Sequence, residues 1–332
     1  MSAYTIAYRI IEITRERMRY RRIGRTGLAA AAAVLVLSVL VGCSGSSGPP
    51  ASGDLDSLSA PATDIYIAPV QQGGDAFQIG ALSPLVQRSG YDNQPAFTPD
   101  ATSLVFASLN DGQSDLYRVT LGTYDVTRIT GTPESEYSPT PRPDQRISLV
   151  RVEEDGRQRL WQYSAFGRPI APILPNADSV GYHAWIDRTR VALFRVASPP
   201  ELVVADVTTG VDTVVADRIG RSLQPVPGRS AVSYIRVAPD SSTAVHVVGR
   251  DDSLSTTRLV STPGTGHGID HAWTLDGTLL MVDEQVLYAW RPGRTTWRRV
   301  RNLAPLEVTR LAVSPDGAQL ALVVREDSAP PS

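Results

Sequence analysis

A repeating all-β fold is predicted for this 332-residue chain by three features of its sequence. Its 25 Pro and 26 Gly cut it into short pieces. The pieces between them are apolar runs of strand length rather than long helical patterns. The same order of runs and turns recurs at spacings of 40 to 47 residues, the length of a four-stranded antiparallel unit.

In chain order, the first element is an export signal. Residues 28–41 form a 14-residue apolar run, shorter than the ~20 residues a spanning helix needs. An Arg-rich, acid-free stretch starting at Met18 precedes it, and Gly42, Cys43 and a Ser/Gly segment follow. That order predicts a signal over residues 1–42, with Met18 as an alternative start to Met1. Leu40-Val41-Gly42-Cys43 resembles the lipobox of bacterial lipoproteins. The resemblance implies that Cys43, the single cysteine, carries palmitate-type acyl chains, becomes the new amino terminus and anchors the chain to a bacterial membrane. Ser44 after the cysteine favours the outer membrane where one exists. The alternative is a plain membrane anchor with an incidental cysteine. Residues 43–63 then comprise the lipidated cysteine and a flexible Ser/Gly/Pro tether.

Residues 64–326 carry the repeat. Its clearest unit, 94–130, has a strand ending at Phe97, the turn Thr98-Pro99-Asp100, a strand over 103–108 and the turn Asn110-Asp111-Gly112. Strands over 115–119 and 126–130 complete it. Taking Phe97 as anchor, Pro141, Trp185, Val226, Trp273 and Val313 follow at spacings of 44, 44, 41, 47 and 40. The last unit stops after strands over 308–313 and 319–325. Residues 64–70, the turn 72–75 and residues 77–82 supply its missing pair. The prediction is a six-bladed β-propeller, five blades complete and one shared by the chain ends, closed by pairing of the N- and C-terminal strands. Residues 327–332 read as a disordered tail. Runs such as LVFAS and LALVV hardly alternate, as expected of strands buried on both faces.

Pro95-Ala96-Phe97-Thr98-Pro99-Asp100, Asp111-Gly112-Gln113-Ser114-Asp115-Leu116-Tyr117 and Val313-Ser314-Pro315-Asp316-Gly317 resemble the repeats of TolB-like propellers over residues 64 to 326. The turns Arg142-Pro143-Asp144 and Ile186-Asp187-Arg188 depart from that pattern. The resemblance implies a propeller without catalytic machinery that binds an envelope protein or a peptidoglycan-associated partner.

Composition narrows the chemistry. All 32 cations are arginine, so a Walker-type phosphate loop and Schiff-base catalysis are excluded. Beyond residue 42 the chain holds 25 cations against 32 anions, a balance of −7, which disfavours nucleic acid as a partner. No G-x-S-x-G occurs. The Asp-Gly pairs at 111, 155, 276 and 316 read as hairpin turns rather than cation sites. His183 and His271 each stand two residues before a tryptophan, Trp185 and Trp273, at the start of an innermost strand. With Tyr91, Asp92, Gln94, Tyr137, Tyr182 and Arg310 they are expected to line the channel mouth as a ligand or partner site. The reading is a monomer with no cofactor and no metal. Two alternatives stand beside it: a metal-dependent lyase or hydrolase acting on envelope polysaccharide through the channel histidines, and a small-ligand sensor.

Overall fold

Leu104, Val105, Phe106 and Ala107 are consecutive and all fully buried. A strand points successive side chains to opposite faces, so this segment must be covered on both. The computed structural model shows how. It describes residues 60–73, 76–250, 254–263 and 270–328. The signal 1–42, Cys43, the tether to residue 59 and residues 329–332 of the tail lie outside the described residues.

The strands fall into small antiparallel sheets. β1 (Thr63–Gly73), β2 (Ala76–Ile79) and β3 (Ser83–Val86) open the fold. β4 (Tyr91–Phe97), β5 (Ser103–Asn110), β6 (Gln113–Thr120) and β7 (Val126–Arg128) make the first four-stranded array. β8 (Ser135–Pro141), β9 (Arg146–Val152), β10 (Gln158–Ser164) and β11 (Pro169–Pro172) make the second, and β12 (Val180–Trp185), β13 (Arg190–Arg195), β14 (Glu201–Asp206) and β15 (Asp212–Asp217) the third. The fourth is β16 (Ile219–Pro225), β17 (Ala231–Val237), β18 (Thr243–Gly249) and β19 (Thr256–Ser261). The fifth is β20 (His271–Trp273), β21 (Leu279–Asp283), β22 (Val286–Trp290) and β23 (Arg298–Asn302). β24 (Val308–Val313) and β25 (Gln319–Arg325) follow, then a 3-10 turn at Glu326–Ser328.

β1 lies antiparallel to β25 from Thr63↔Arg325 to Pro69↔Gln319, so the two ends of the folded region share one sheet. β24 pairs with the other edge of β25. A single parallel bridge, Thr63↔Tyr91, connects this sheet to β4. In one respect the sheet differs from the expectation: β1 runs on to Gly73, and the strand expected over 77–82 stops at Ile79 as β2, with a second short strand, β3, starting at Ser83, each paired with β1. Pro69 accounts for the break. It has no N–H for the ladder, and the chain crosses its ring at Gly80, where a Cβ would lie 2.6 Å from Pro69 Cγ.

The core is distributed between sheets. Leu104 and Phe106 pack with Ile65 and Val323 on one side of β5, while Val105 and Ala107 pack with Ile147, Leu149 and Tyr163 on the other. β25 divides in the same way, Leu320, Leu322 and Val324 facing the fifth array and Ala321 and Val323 the first. Each of the larger of these side chains, Leu, Ile, Val or Phe, stabilises the fold by roughly 1.5–3 kcal/mol through burial. This two-sided packing holds the first strand of every array at the centre, where the strands touch in the cycle β4, β8, β12, β16, β20, β24 and back to β4.

Candidate functional site

The six inner strands surround a cavity of about 500 Å³. Its wall is apolar and rich in proline, with Pro95, Pro139, Pro225, Pro227 and Pro315 among the lining residues. Leu275, 64% exposed, stands at its open side. Proline on these strands follows from backbone irregularity. The pairing of β4 with β5 slips between Asn93 and Ala96, and that of β8 with β9 between Tyr137 and Thr140. In each slip a non-glycine residue takes a left-handed backbone, Gln94 at φ 58° and Ser138 at φ 52°, a conformation that costs energy unless it is locked. Hydrogen bonds between neighbouring inner strands lock it. Ser138 N donates to Gln94 Oε1 at 2.6 Å, and Ser138 Oγ donates to the Gly181 carbonyl at 3.2 Å.

The polar floor is set by Tyr182, Arg221, Ser222, Asp270 and Arg310. Arg310 on β24 donates to the Tyr182 hydroxyl on β12 at 3.0 Å, with its guanidinium carbon 5.0 Å from the Tyr182 ring centre. β24 and β12 are opposite one another in the cycle of inner strands, so this pair bars the channel. Arg310 also pairs with Asp270 at 3.6 Å. Burial pushes the Asp270 carboxyl up, against the pull of Arg310 and Arg221. Tyr91 belongs to the same electrostatic group; burial raises its phenol far above the ordinary value, so it stays neutral.

The two channel histidines hold sheets together. His183 Nε2 lies 2.8 Å from Ser148 Oγ on β9, which also accepts from Trp185 Nε1 at 3.0 Å. His271 Nε2 lies 2.7 Å from Ser233 Oγ on β17, which accepts from Trp273 Nε1 at 2.8 Å. Each serine hydroxyl donates in turn to a carbonyl of its own array, Thr140 at 3.4 Å and Gln224 at 3.2 Å. With the proton on Nε2, every donor in each cluster is used, and Nδ1 remains an acceptor without a partner among the described residues. Burial pushes both imidazoles down to about 3, helped at His183 by Arg142.

Of the residues expected at the channel mouth, Gln94, Tyr182, His183 and Arg310 line the cavity. Tyr91, Asp92, Tyr137 and His271 are buried and are not part of its lining. Asp92 instead holds Arg88, whose guanidinium stacks over Tyr117. Arg221 is a floor residue the sequence reading did not single out. The fourth unit matches the repeat loosely, and its anchor, Val226, falls one residue beyond the end of β16. Counting back from that strand end would have placed Arg221 level with Tyr137. Two of the acidic turns are capped locally: Asp276 Oδ1 accepts from Thr274 Oγ1 at 2.5 Å and Thr278 N at 3.2 Å, its Oδ2 pairing with Arg291, and Asp316 Oδ1 accepts from Ser314 Oγ at 2.5 Å and Ala318 N at 3.0 Å. Among the described residues no helix is long and apolar enough to cross a membrane.

No protein-family model matches the chain, and no curated protein matches its sequence. Solved structures do match. A protein described as TolB from Agrobacterium tumefaciens superposes with a TM-score of 0.59 at 14% identity, covering 82% of this chain and 99% of its own. TolB from Acinetobacter baumannii gives 0.51 at 14% identity over 79% of this chain and 64% of its own. A gluconolactonase from Xanthomonas campestris gives 0.54 at 12% identity over 80% and 96%. The shared architecture thus includes a protein described as an enzyme, and at these identities the likeness is one of fold. The chain folds as a TolB-like β-propeller.

Proposed function

We propose that this protein is an exported, lipid-anchored propeller of six blades that captures a segment of an envelope partner in its inner-strand cavity and performs no catalysis. The supporting observation is the cavity itself: a fixed polar floor beneath a proline-rich apolar wall, open beside the exposed Leu275. Proline walls lose little entropy when a ligand settles against them. The two histidines that a metal-dependent mechanism would recruit are bonded through Nε2 to serines of neighbouring sheets. Lipid on Cys43 and the tether after it would hold the cavity near a membrane surface, within the roughly 25 Å reach of a flexible 20-residue chain.

Capture from the host's envelope fraction by full-length protein in detergent tests the reading. Leu275→Glu, on an exposed side chain, is expected to leave the fold intact and reduce capture at least tenfold. Cys43→Ser is expected to abolish palmitate labelling and release the protein from membranes. Undiminished capture by the Leu275 variant overturns the cavity as the binding face, and undiminished labelling overturns the anchor.

A further inference from the structure

Arg221 on β16 has no carboxylate of its own. Its Nη2 donates to the Thr309 carbonyl at 2.9 Å, while its Nε, shielded from solvent, finds no partner among the described residues. The side chain nonetheless lines the cavity. Asp270 is the sole carboxylate among the described lining residues, and it is already engaged. It pairs with Arg310 at 3.6 Å and accepts from Ser222 Oγ at 2.7 Å and from its neighbour His271 N at 2.8 Å.

Two guanidiniums therefore share one carboxylate, and the floor carries a surplus positive charge where little water reaches it. Arg221 itself is half-buried, and a cation partly withdrawn from water without a counter-ion is costly unless something else neutralises it. Burial first, and the Arg310 charge next, hold the Arg221 guanidinium below its ordinary range. The charge of an incoming anion would offset both effects. The surplus is a single charge, which one carboxylate matches and a phosphate dianion exceeds. A guanidinium without a carboxylate partner is also a group that carboxylates favour. Above it, the lining turns apolar with Pro95, Pro139, Leu223 and Pro227.

We propose that the floor of the cavity is a carboxylate site: a ligand carrying one carboxylate seats it on Arg221 beside Arg310 and lays an apolar body against the proline wall. The carboxylate can belong to a free organic acid or to the end or side chain of a peptide. The assignment names the chemistry of the proposed binding cavity and rests on that cavity being open to ligands. It does not depend on the identity of a protein partner.

The test is calorimetric titration of full-length protein in detergent with 3-phenylpropionate, its neutral amide 3-phenylpropionamide, and inorganic phosphate. Saturable binding of the carboxylate is expected at one site, with the amide and phosphate at least tenfold weaker. Arg221→Met is expected to weaken 3-phenylpropionate at least tenfold, and Arg221→Lys, which keeps the charge without the fork, by less. Arg221→Met is also expected to raise the Tm of the unliganded protein, because it removes an uncompensated charge. A Met variant that fails to fold refutes that expectation, and the Lys variant then carries the binding comparison. A linear pentapeptide with a free carboxyl terminus and the same peptide amidated separate the two sources: selective binding of the free-acid peptide supports a peptide terminus, and binding of 3-phenylpropionate without it supports a free acid. Equal binding of acid and amide, tighter binding of phosphate, or unchanged affinity in Arg221→Met overturns the site. Carboxylate binding that persists while envelope capture fails removes the partner reading and leaves the site standing.

Discussion

Ser233 is fully buried and lies within hydrogen-bond distance of two donors from the next sheet, Trp273 Nε1 at 2.8 Å and His271 Nε2 at 2.7 Å. Ser233→Ala leaves both without a partner. An unpaired buried donor costs about 1–3 kcal/mol, so with two such donors the expected loss in urea unfolding at pH 7.5 is about 2–6 kcal/mol. His271→Phe removes one donor together with its need for a partner and leaves Trp273 bonded, so its cost should be smaller. Equal losses would show that the serine does not join the sheets. The sequence exposes half of this device. His183 with Trp185 and His271 with Trp273 recur at one register and are legible as repeat positions. Their serines lie 35 and 38 residues before the histidines, on strands of another sheet, and short-range patterning carries no sign of the pairing. The floor was partly legible for a related reason. Tyr182 and Arg310 sit in units with clear anchors, whereas Arg221 sits in the unit whose anchor is displaced.

At the scale of the element, β25 is paired on both edges and packed on both faces. Ala321 pairs with Ile67 on one side and Ala312 on the other and has no exposure. Ala321→Pro removes a ladder N–H that has nowhere else to be satisfied and forces a ring into a filled space. A loss of at least about 3 kcal/mol is expected, read as a lowered Tm and early exposure of the β1–β25 seam to proteolysis. A variant within a few degrees of the parent would show that pairing of the chain ends contributes little. This seam could be read in the sequence because the last unit stops two strands short and the first residues supply a pair. The division of its outer edge into β2 and β3 could not, since it depends on Gly80 crossing the Pro69 ring, a contact between residues that no strand pattern marks.

Across the whole molecule, three buried titratable groups at different sheet interfaces contribute to how stability responds to pH, and they act in opposite directions. His183 and His271 are pushed down to about 3. Their contribution is fully present above the ordinary imidazole value near 6.5 and is lost as pH falls toward 3. Glu136, between the first and second arrays, has no exposure and accepts from Thr130 Oγ1 and the Tyr163 hydroxyl, each at 3.1 Å, and from Thr132. Burial raises its carboxyl to about 7 despite these bonds. Its contribution is present below the ordinary 4.5 and is lost as pH rises through 7. Below about pH 6.5 the two histidines outweigh the single glutamate, and their influence fades above it, so these three groups favour a stability maximum near neutral pH. Between pH 7 and pH 5 each imidazole costs about 2 kcal/mol. Replacing both by Gln should therefore shift the stability difference from the parent by about 4 kcal/mol in the variant's favour over that interval. Glu136→Gln should gain on the parent by about 2–3 kcal/mol between pH 5 and pH 8. Urea unfolding at the three pH values measures both differences, and a difference that does not move with pH would remove the corresponding group from the account.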